Sequence, residues 1–378
     1  MWCRLPLVSL FTGAGGLDLG LEAAGFGVAV AVELDAIRCE TIKLNKPKWK
    51  LIRRDIRAIS PEEVLDTACL RRGEVALVAG GPPCRPFSKS ALWTAPNHNP
   101  RHHEMAQLIL EFAEFVNCIR PLAFILENVP GLAGKLGRQL FNKFLSCLVT
   151  NYRCTWGVLN AVEYGVPQKR RRLFVIGIRS DLNASPRLPD PTHSYDNRRK
   201  KGREKRKLRA WVTAGRAIGE LDDGIVRDDE VPRGKWGHLL KLIPPGKNYL
   251  WLTERGGGDN IFRWRSRYWN FLLKLHPNLP SWTIQALPGP YCGPFHWRNR
   301  RLRIAEVKRL QTFPDWWEVA GTPTKQWAQL GDAVPPLLAA KLGNSILRTL
   351  SEELGLDPDS ISRENRHILR EFTPWEKK

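Results

Sequence analysis

Cys84 stands in Gly80-Gly81-Pro82-Pro83-Cys84-Arg85-Pro86-Phe87-Ser88, directly after the apolar run Val75–Ala79. Two prolines fix the backbone ahead of the thiol and glycines clear space beside it, so the spacing predicts a sulfur displayed at the C-terminal edge of a strand. A free cysteine is usually a small buried hydrophobe. A rigid loop on the ligand side of an α/β sheet is instead where reactive groups are presented. Arg85 beside it favours the thiolate, the nucleophilic form. The apolar run Ala123–Glu127 ends in an acid, and the turn Asn128-Val129-Pro130-Gly131 aims that carboxylate along the same edge. Gln168-Lys169-Arg170-Arg171-Arg172 leads into the apolar run 173–178, and cations entering a buried strand are poorly explained as solubility charges. The chemistry within reach of such a set is attack by a sulfur nucleophile beside a carboxylate.

A second group could hold a cofactor. Phe11-Thr12-Gly13-Ala14-Gly15-Gly16 follows the first apolar run and precedes a helical pattern. Glycines there let the backbone approach a ligand and leave amides free at a helix N-terminus, where phosphate or carboxylate binds. Alone, the turn is equally a tight strand-to-helix connection. The next apolar run ends in Glu33, 17 residues after Gly16, where an acid is placed to accept hydrogen bonds from ribose hydroxyls. Asp55, in Arg53-Arg54-Asp55-Ile56, could meet an adenine amino group. Together they suggest an adenosine-bearing cofactor.

The elements that must position these groups form an alternation over the first 180 residues. Strands are predicted over Pro6–Phe11, Gly27–Glu33, Val75–Ala79, Ala123–Glu127, Cys154–Leu159 and Arg172–Ile178, and helices over Asp18–Ala24, Ala36–Asn45, Pro61–Leu70, Met105–Ile119 and Gly137–Thr150. That order predicts an α/β fold, a Rossmann-like, mostly parallel sheet with flanking helices. From about 181 to 300 the alternation stops, and Pro, Gly, Trp and basic residues dominate, which predicts a second, smaller, irregular domain. Residues 198–209 hold nine basic residues and one acid, either a solvated loop or a phosphate-contacting arm. Aromatics interleave with Arg over 262–269, a nucleic-acid surface or part of a core. Leu330–Leu350 resumes an amphipathic helical pattern.

Composition sets the class. Across 378 residues, 59 Lys and Arg against 38 Asp and Glu give +21, a surface that favours polyanions, nucleic acid first. At 43% hydrophobic the chain is an ordinary globular one and not a disordered one. No apolar run reaches the roughly 18–20 residues of a membrane span, and Leu5–Leu10 reads as a first buried strand, not a signal peptide. The eight cysteines lack CxxC spacing, which disfavours zinc and a disulfide framework and suggests a reducing cytoplasm. No metal ligand set is expected.

In register along the chain, Phe-Thr-Gly-Ala-Gly-Gly at 11–16, Gly-Pro-Pro-Cys at 81–84, Glu-Asn-Val at 127–129, Gln-Lys-Arg-Arg-Arg at 168–172, Glu306–Pro314 and Gln329–Pro336 resemble the cytosine-5 DNA methyltransferases. The resemblance leaves the stretch between about 181 and 295 largely unmatched, which in that family is the target recognition domain. It implies a catalytic domain over 1–180, a recognition domain over 181–300, a hinge and supporting segment over 301–330, and a C-terminal helical segment over 331–378 packing back on the first domain. It further implies S-adenosylmethionine as cofactor, with contacts from Phe11, Gly13, Gly15, Gly16, Glu33, Asp55, Ile56 and Pro82. Cys84 would add to C6 of a flipped-out cytosine, Glu127 would bond its N3 and amino group, and Arg172 with Arg170 would hold the base or the nucleophile loop. The implied partner is double-stranded DNA, read by a monomer in the cytoplasm, with a cognate restriction endonuclease acting on the same site without stable binding. Three positions depart from the family pattern: Arg85 where Gln is usual, Arg303 where Thr is usual, and Asp332 where Asn is usual. An RNA (tRNA) cytosine methyltransferase and a non-catalytic DNA-binding protein on the same scaffold stay open as alternatives. A dehydrogenase fits neither the Pro-Pro-Cys loop nor the charge.

Overall fold

The computed structural model describes residues 4–83, 100–195, 208–263 and 267–376, with side chains from 107 onward in the helix that begins at Pro100. Cys84, Arg85, residues 198–207 of the basic run, and Trp264-Arg265-Ser266 lie outside the described residues. By its contacts the chain divides into unit 1, made of Met1–Asn160, Arg171–Asp190 and Val334–Leu369, and unit 2, made of Ala161–Arg170, Pro191–Ala333 and Arg370–Lys378. Ala161–Arg170 thus belongs to unit 2 although it lies within the first 180 residues.

Unit 1 alternates β1 (Leu5–Leu10), α1 (Gly16–Ala23), β2 (Phe26–Val32), α2 (Ala36–Asn45), β3 (Lys50–Ile52), α3 (Pro61–Ala68), β4 (Leu77–Gly80), α4 (Pro100–Ile119), β5 (Ala123–Asn128), α5 (Arg138–Leu148), β6 (Tyr152–Asn160) and β7 (Arg171–Arg179). The strands form one seven-stranded sheet in the order β3-β2-β1-β4-β5-β7-β6. Strands β1 to β5 run parallel, and β7 pairs antiparallel with β5 and β6. β4 and β5 are buried along their whole length; with both sheet faces covered by helices, such strands read as continuous apolar runs. Local chemistry starts the helices. Asp35 Oδ1 caps α2, accepting from Ile37 N at 2.9 Å and Arg38 N at 3.1 Å, and Ser60 Oγ accepts from Glu63 N at 3.1 Å ahead of Pro61 in α3.

The amphipathic helical pattern over Leu330–Leu350 spans the end of one helix and the start of another. One helix, Pro323–Asp332, ends before Pro335-Pro336, and a second, α6 (Pro336–Leu354), starts there. Proline supplies no N–H and disfavours helical geometry in the residue before it, so the pair breaks the run. α6 packs on α1 backbone to backbone: a Cβ on Gly20 would sit 2.2 Å from Pro336 O and 2.4 Å from Ala339 Cβ. Beneath the other face of the sheet, Phe112, Phe124, Phe144 and Tyr152 meet edge to face or tilted, with centroids 5.3–6.5 Å apart.

Unit 2 has little regular structure. Gln168–Lys169 pairs with Ser281–Trp282 and His193–Ser194 with Arg209–Ala210, each a two-residue parallel ladder. Its described helices include Ala214–Ile218, Ile304–Leu310 and Pro323–Asp332. An aromatic core gathers Tyr249, Phe262, Phe271 and Phe295 around Leu239, Leu240 and Leu272.

Candidate functional site

The sheet changes winding direction between β1 and β4, and in such folds ligands bind outside the carboxyl ends of the strands at that point. Four strand ends bring the predicted groups there: β1 leads into Phe11–Gly16, β2 into Glu33, β4 into Gly81–Pro83, and β5 carries Glu127.

After β1 the backbone turns through the left-handed region at Phe11 (φ 56°), Gly13 (φ 60°) and Gly15 (φ 77°), conformations that glycine adopts without steric cost. Thr12 N donates to Val32 O at 3.1 Å and Gly15 N to Thr12 O at 3.1 Å, which locks the turn. α1 then begins with no side-chain cap, leaving its positive N-terminal end to an anionic ligand group. Glu33 Oε2 accepts from Gly13 N at 2.7 Å and Oε1 from Asp35 N at 2.8 Å. A carboxylate has about four acceptor positions, so Glu33 can also take hydroxyl donors. Asp55 starts the 3₁₀ turn Ile56–Ala58 and accepts from Arg57 N at 3.0 Å and from its guanidinium at 3.0 and 2.7 Å. The Arg57 bonds hold the Asp55 carboxyl below the usual carboxylate range, and any adenine contact there must share the group with Arg57. Ile56 and Pro82 are buried, Ile56 in the apolar core. An uncapped helix end, a glycine turn and an adjacent carboxylate with spare acceptor capacity suit a molecule with a carboxylate and a ribose diol, as S-adenosylmethionine has.

The second group converges on Glu127. In the antiparallel register Glu127 opposes Phe174, so Arg172 is its diagonal neighbour on the same face. Arg172 Nε lies 3.0 Å from Glu127 Oε1, and both side chains are mostly buried. A Cβ on Gly81 would lie 2.9 Å from Glu127 Oε2, so glycine is what lets the loop after β4 pass the carboxylate. Asn128, which the sequence reading did not place in the site, is buried and donates Nδ2–H to Pro82 O at 3.3 Å, while its Oδ1 accepts from Val129 N at 2.9 Å. It holds the segment that leads to Cys84. A short polar side chain inside an otherwise apolar strand end was the available signal.

Arg170 is placed differently from Arg172. It is fully buried within unit 2, and its guanidinium donates to Ile284 O at 3.1 Å, Gly331 O at 2.8 Å and Asp332 O at 3.1 Å. These three bonds tie together backbone carbonyls of unit 2. Gln168 acts alike, donating to Leu310 O at 3.2 Å and Gln311 Oε1 at 3.0 Å. Arg303, a departure from the family pattern, anchors the loop 221–230: Nε meets Glu230 Oε1 at 2.5 Å and Nη1 meets Asp223 Oδ1 at 3.0 Å. Within 262–269, Phe262 belongs to the aromatic core, Arg267 lies 5.6 Å from the Phe262 and Trp236 ring centres, and Tyr268 and Trp269 are exposed. Lys169 Nζ sits 5.4 Å from the Trp211 ring centre and 4.9 Å from that of Trp282. Among the described residues no cluster of His, Cys, Asp or Glu could hold a metal ion, and no helix is long and apolar enough to cross a membrane.

Fold and site define a doubly wound α/β domain with a glycine turn and carboxylates gathered at its strand ends, where folds of this class bind ligands. Comparison with known proteins narrows that class. Residues 5–348 match the family of C-5 cytosine-specific DNA methylases. The chain is 41% identical over 375 residues to the Type II methyltransferase M.SacI of Streptomyces achromogenes, covering 93% of this chain and 94% of that one. It is 31% identical over 352 residues to M.NgoFVII, a Type II methyltransferase of Neisseria gonorrhoeae, covering 92% and 87%. In fold it is similar to an Escherichia coli prophage protein described as a DNA modification methyltransferase, with a TM-score of 0.63 at 22% identity over 92% of this chain and all of the other. The protein belongs to the C-5 cytosine-specific DNA methylase family and is a DNA cytosine-5-methyltransferase.

Proposed function

We propose that the protein methylates C5 of a flipped-out cytosine within a specific duplex sequence, as the modification half of a Type II restriction system. The observation that carries this reading is the Glu127–Arg172 pair held at 3.0 Å beside Gly81, on the loop that leads to Cys84. S-adenosylmethionine, when bound, supplies a methyl group on a sulfonium. Its carboxylate would meet the open end of α1, its ribose Glu33, and its adenine the neighbourhood of Asp55 and Ile56.

Cytosine C5 is a weak nucleophile, so the ring must first be activated. Cys84 as thiolate would add to C6, and Glu127 would bond N3 and the amino group as the ring gains electron density. Arg172 would keep Glu127 oriented, with a guanidinium that does not lose its proton. Once C5, activated as an enamine, has taken the methyl group, loss of its proton and expulsion of Cys84 from C6 would complete the cycle. Arg170 takes part by positioning, through the carbonyls it ties together. A cytosine inside a duplex is out of reach, hence flipping. Unit 2, with its Arg- and Trp-rich surface, would read the major groove and contact phosphates. The protein would act in the cytoplasm as a monomer, alongside a nuclease that shares its site without stable binding.

The test is transfer of labelled methyl from S-adenosylmethionine to duplex DNA and, separately, to tRNA, followed by bisulfite sequencing. Duplex cytosines in one sequence context should be labelled, and Cys84→Ala should abolish transfer while leaving DNA binding nearly unchanged. Label in tRNA alone would overturn the DNA reading, and undiminished turnover in Cys84→Ala would remove the mechanism.

A further inference from the structure

Beneath the glycine turn lies an acid for which the chemistry above has no task. Asp18, in the first turn of α1, is fully buried, and neither carboxylate oxygen has a hydrogen-bond partner in place. A carboxylate anion left so is costly, whereas a neutral carboxyl carries a donor of its own.

The polar groups beside it are two hydroxyls and its own backbone N–H, which favours the ionised form. Ser9 acts on Asp18 in the direction that favours the anion, though by less than burial disfavours it; Ser9 Oγ lies 2.9 Å from Thr12 Oγ1, and Thr12 Oγ1 donates to Val32 O at 3.2 Å. Each hydroxyl has one proton, and Val32 O can only accept. With Asp18 neutral, its O–H can serve Ser9, Ser9 serves Thr12, and Thr12 serves Val32, so every proton in the row has an acceptor. With Asp18 ionised, Ser9 must turn its proton toward the anion and Thr12 must donate to Ser9. The side-chain bond to Val32 is then lost. Thr12 and Val32 directly precede Gly13 and Glu33, whose own bond is 2.7 Å.

No cation is among the groups that act on the Asp18 carboxyl. Glu22, one turn on, disfavours the anion, and β1, β2 and β4 carry no titratable side chain. α6 meets α1 through Pro336, Ala339, Ala340 and Gly343. Burial chiefly, then, pushes the Asp18 carboxyl up to about 7.

We propose that Asp18 is a positioning residue for the methyl donor: as a neutral acid it orients the Ser9–Thr12–Val32 row that holds the Gly13 turn against Glu33, and the cofactor binds that protonated form more tightly. The proposal rests on S-adenosylmethionine being the cofactor of this site.

The test is calorimetric binding of S-adenosylmethionine to the full chain from pH 6 to 8.5, for the wild type, Asp18→Asn and Ser9→Ala. The wild-type Kd should stay level up to about pH 6.5 and rise roughly tenfold by pH 8.5, the effect of about one unit of linkage. Asp18→Asn, whose amide donates to Ser9 and cannot ionise, should hold the low-pH affinity throughout. Ser9→Ala should be flat at the weaker value. A wild-type slope retained in Asp18→Asn, or an equal loss at pH 6 and pH 8.5, would overturn the proposal. If Asp18→Asn does not fold by circular dichroism, Ser9→Ala decides, and an unchanged slope there overturns it too. Absence of binding by the wild type at every pH would instead refute the cofactor reading.

Discussion

In unit 1 the strands β4 and β5 are buried from end to end and carry no charge until Glu127, while unit 2 buries Arg170, Lys274, His296, Arg300 and Glu306 completely or nearly so. The contrast follows from backbone hydrogen bonding. A sheet satisfies its own amides and carbonyls through the ladder, so its interior can be apolar and charge is displaced to the strand ends. Irregular chain leaves carbonyls that no ladder satisfies. In unit 2, long cations reach them: Arg170 donates to three carbonyls, and Lys274 donates to Ile243 O and Asn299 Oδ1. Burial lowers Lys274 to about 8. Arg300 binds Glu306 through two bonds of 2.8 and 2.7 Å, both side chains wholly buried.

The largest expected effect tests that ionic frame. Glu306→Ala takes from Arg300 its two-bond partner, leaving Asp222 at 3.8 Å and Glu230 at 3.7 Å, and should cost about 3 kcal/mol in denaturant unfolding, whereas Arg300→Met combined with Glu306→Leu should cost less than the single variant. A single-variant cost below about 1 kcal/mol would break the contrast between the units. Next, Gly20→Ala forces a methyl into the α1–α6 contact, 2.2 Å from Pro336 O, and should cost about 1–3 kcal/mol by overpacking. A neutral result would mean that α6 is not seated on α1.

The two units should also answer pH with opposite signs. In unit 2, burial lowers His296 from 6.5 to about 3; Glu306 lies 3.6 Å away but is already committed to Arg300. The unfolded chain then binds the extra proton, so stability is lost as pH falls from about 6.5 toward 3. In unit 1, Asp18 is raised from 3.8 to about 7. The folded state binds that proton, so stability is lost as pH rises through this window and levels off above it. Thermal melts should show the advantage of Asp18→Asn over wild type growing from pH 4 to 7, and wild type losing more than His296→Gln between pH 6.5 and 4. The same sign in both series would sink the contrast. The smallest effect is local: Asp35→Ala removes the cap of α2 and should cost about 1 kcal/mol, seen as faster amide exchange confined to that helix.

Much of unit 1 was legible because its strands and helices alternate and its chemistry sits at strand ends marked by Gly, Pro and an acid. β3 was not, since three residues are too few to show a period. The antiparallel direction of β7 was not either, because an apolar run does not encode which way it is traversed. In unit 2 the aromatic stretch at 262–269 allowed both a core and a surface, and Phe262 and Trp269 turn out one of each. Asp18 escaped notice in the sequence. An acid in the first turn of a helix ordinarily faces solvent and favours the dipole, and only the packing of α6 and the sheet shows it enclosed.

The sequence by itself determined the α/β alternation, the glycine turn with its acid at Glu33, and the Gly-Pro-Pro-Cys and Glu-Asn-Val elements, because steric freedom, rigidity and charge are properties of residue type and spacing. Tertiary structure alone decided where each cation is placed. Arg170 and Arg172 stand two apart in one basic run, yet register across the sheet pairs Arg172 with Glu127, while the chain path through unit 2 buries Arg170 among carbonyls. Partnership over 45 and 161 residues of sequence is a matter of which backbone passes nearby, and no local pattern records that.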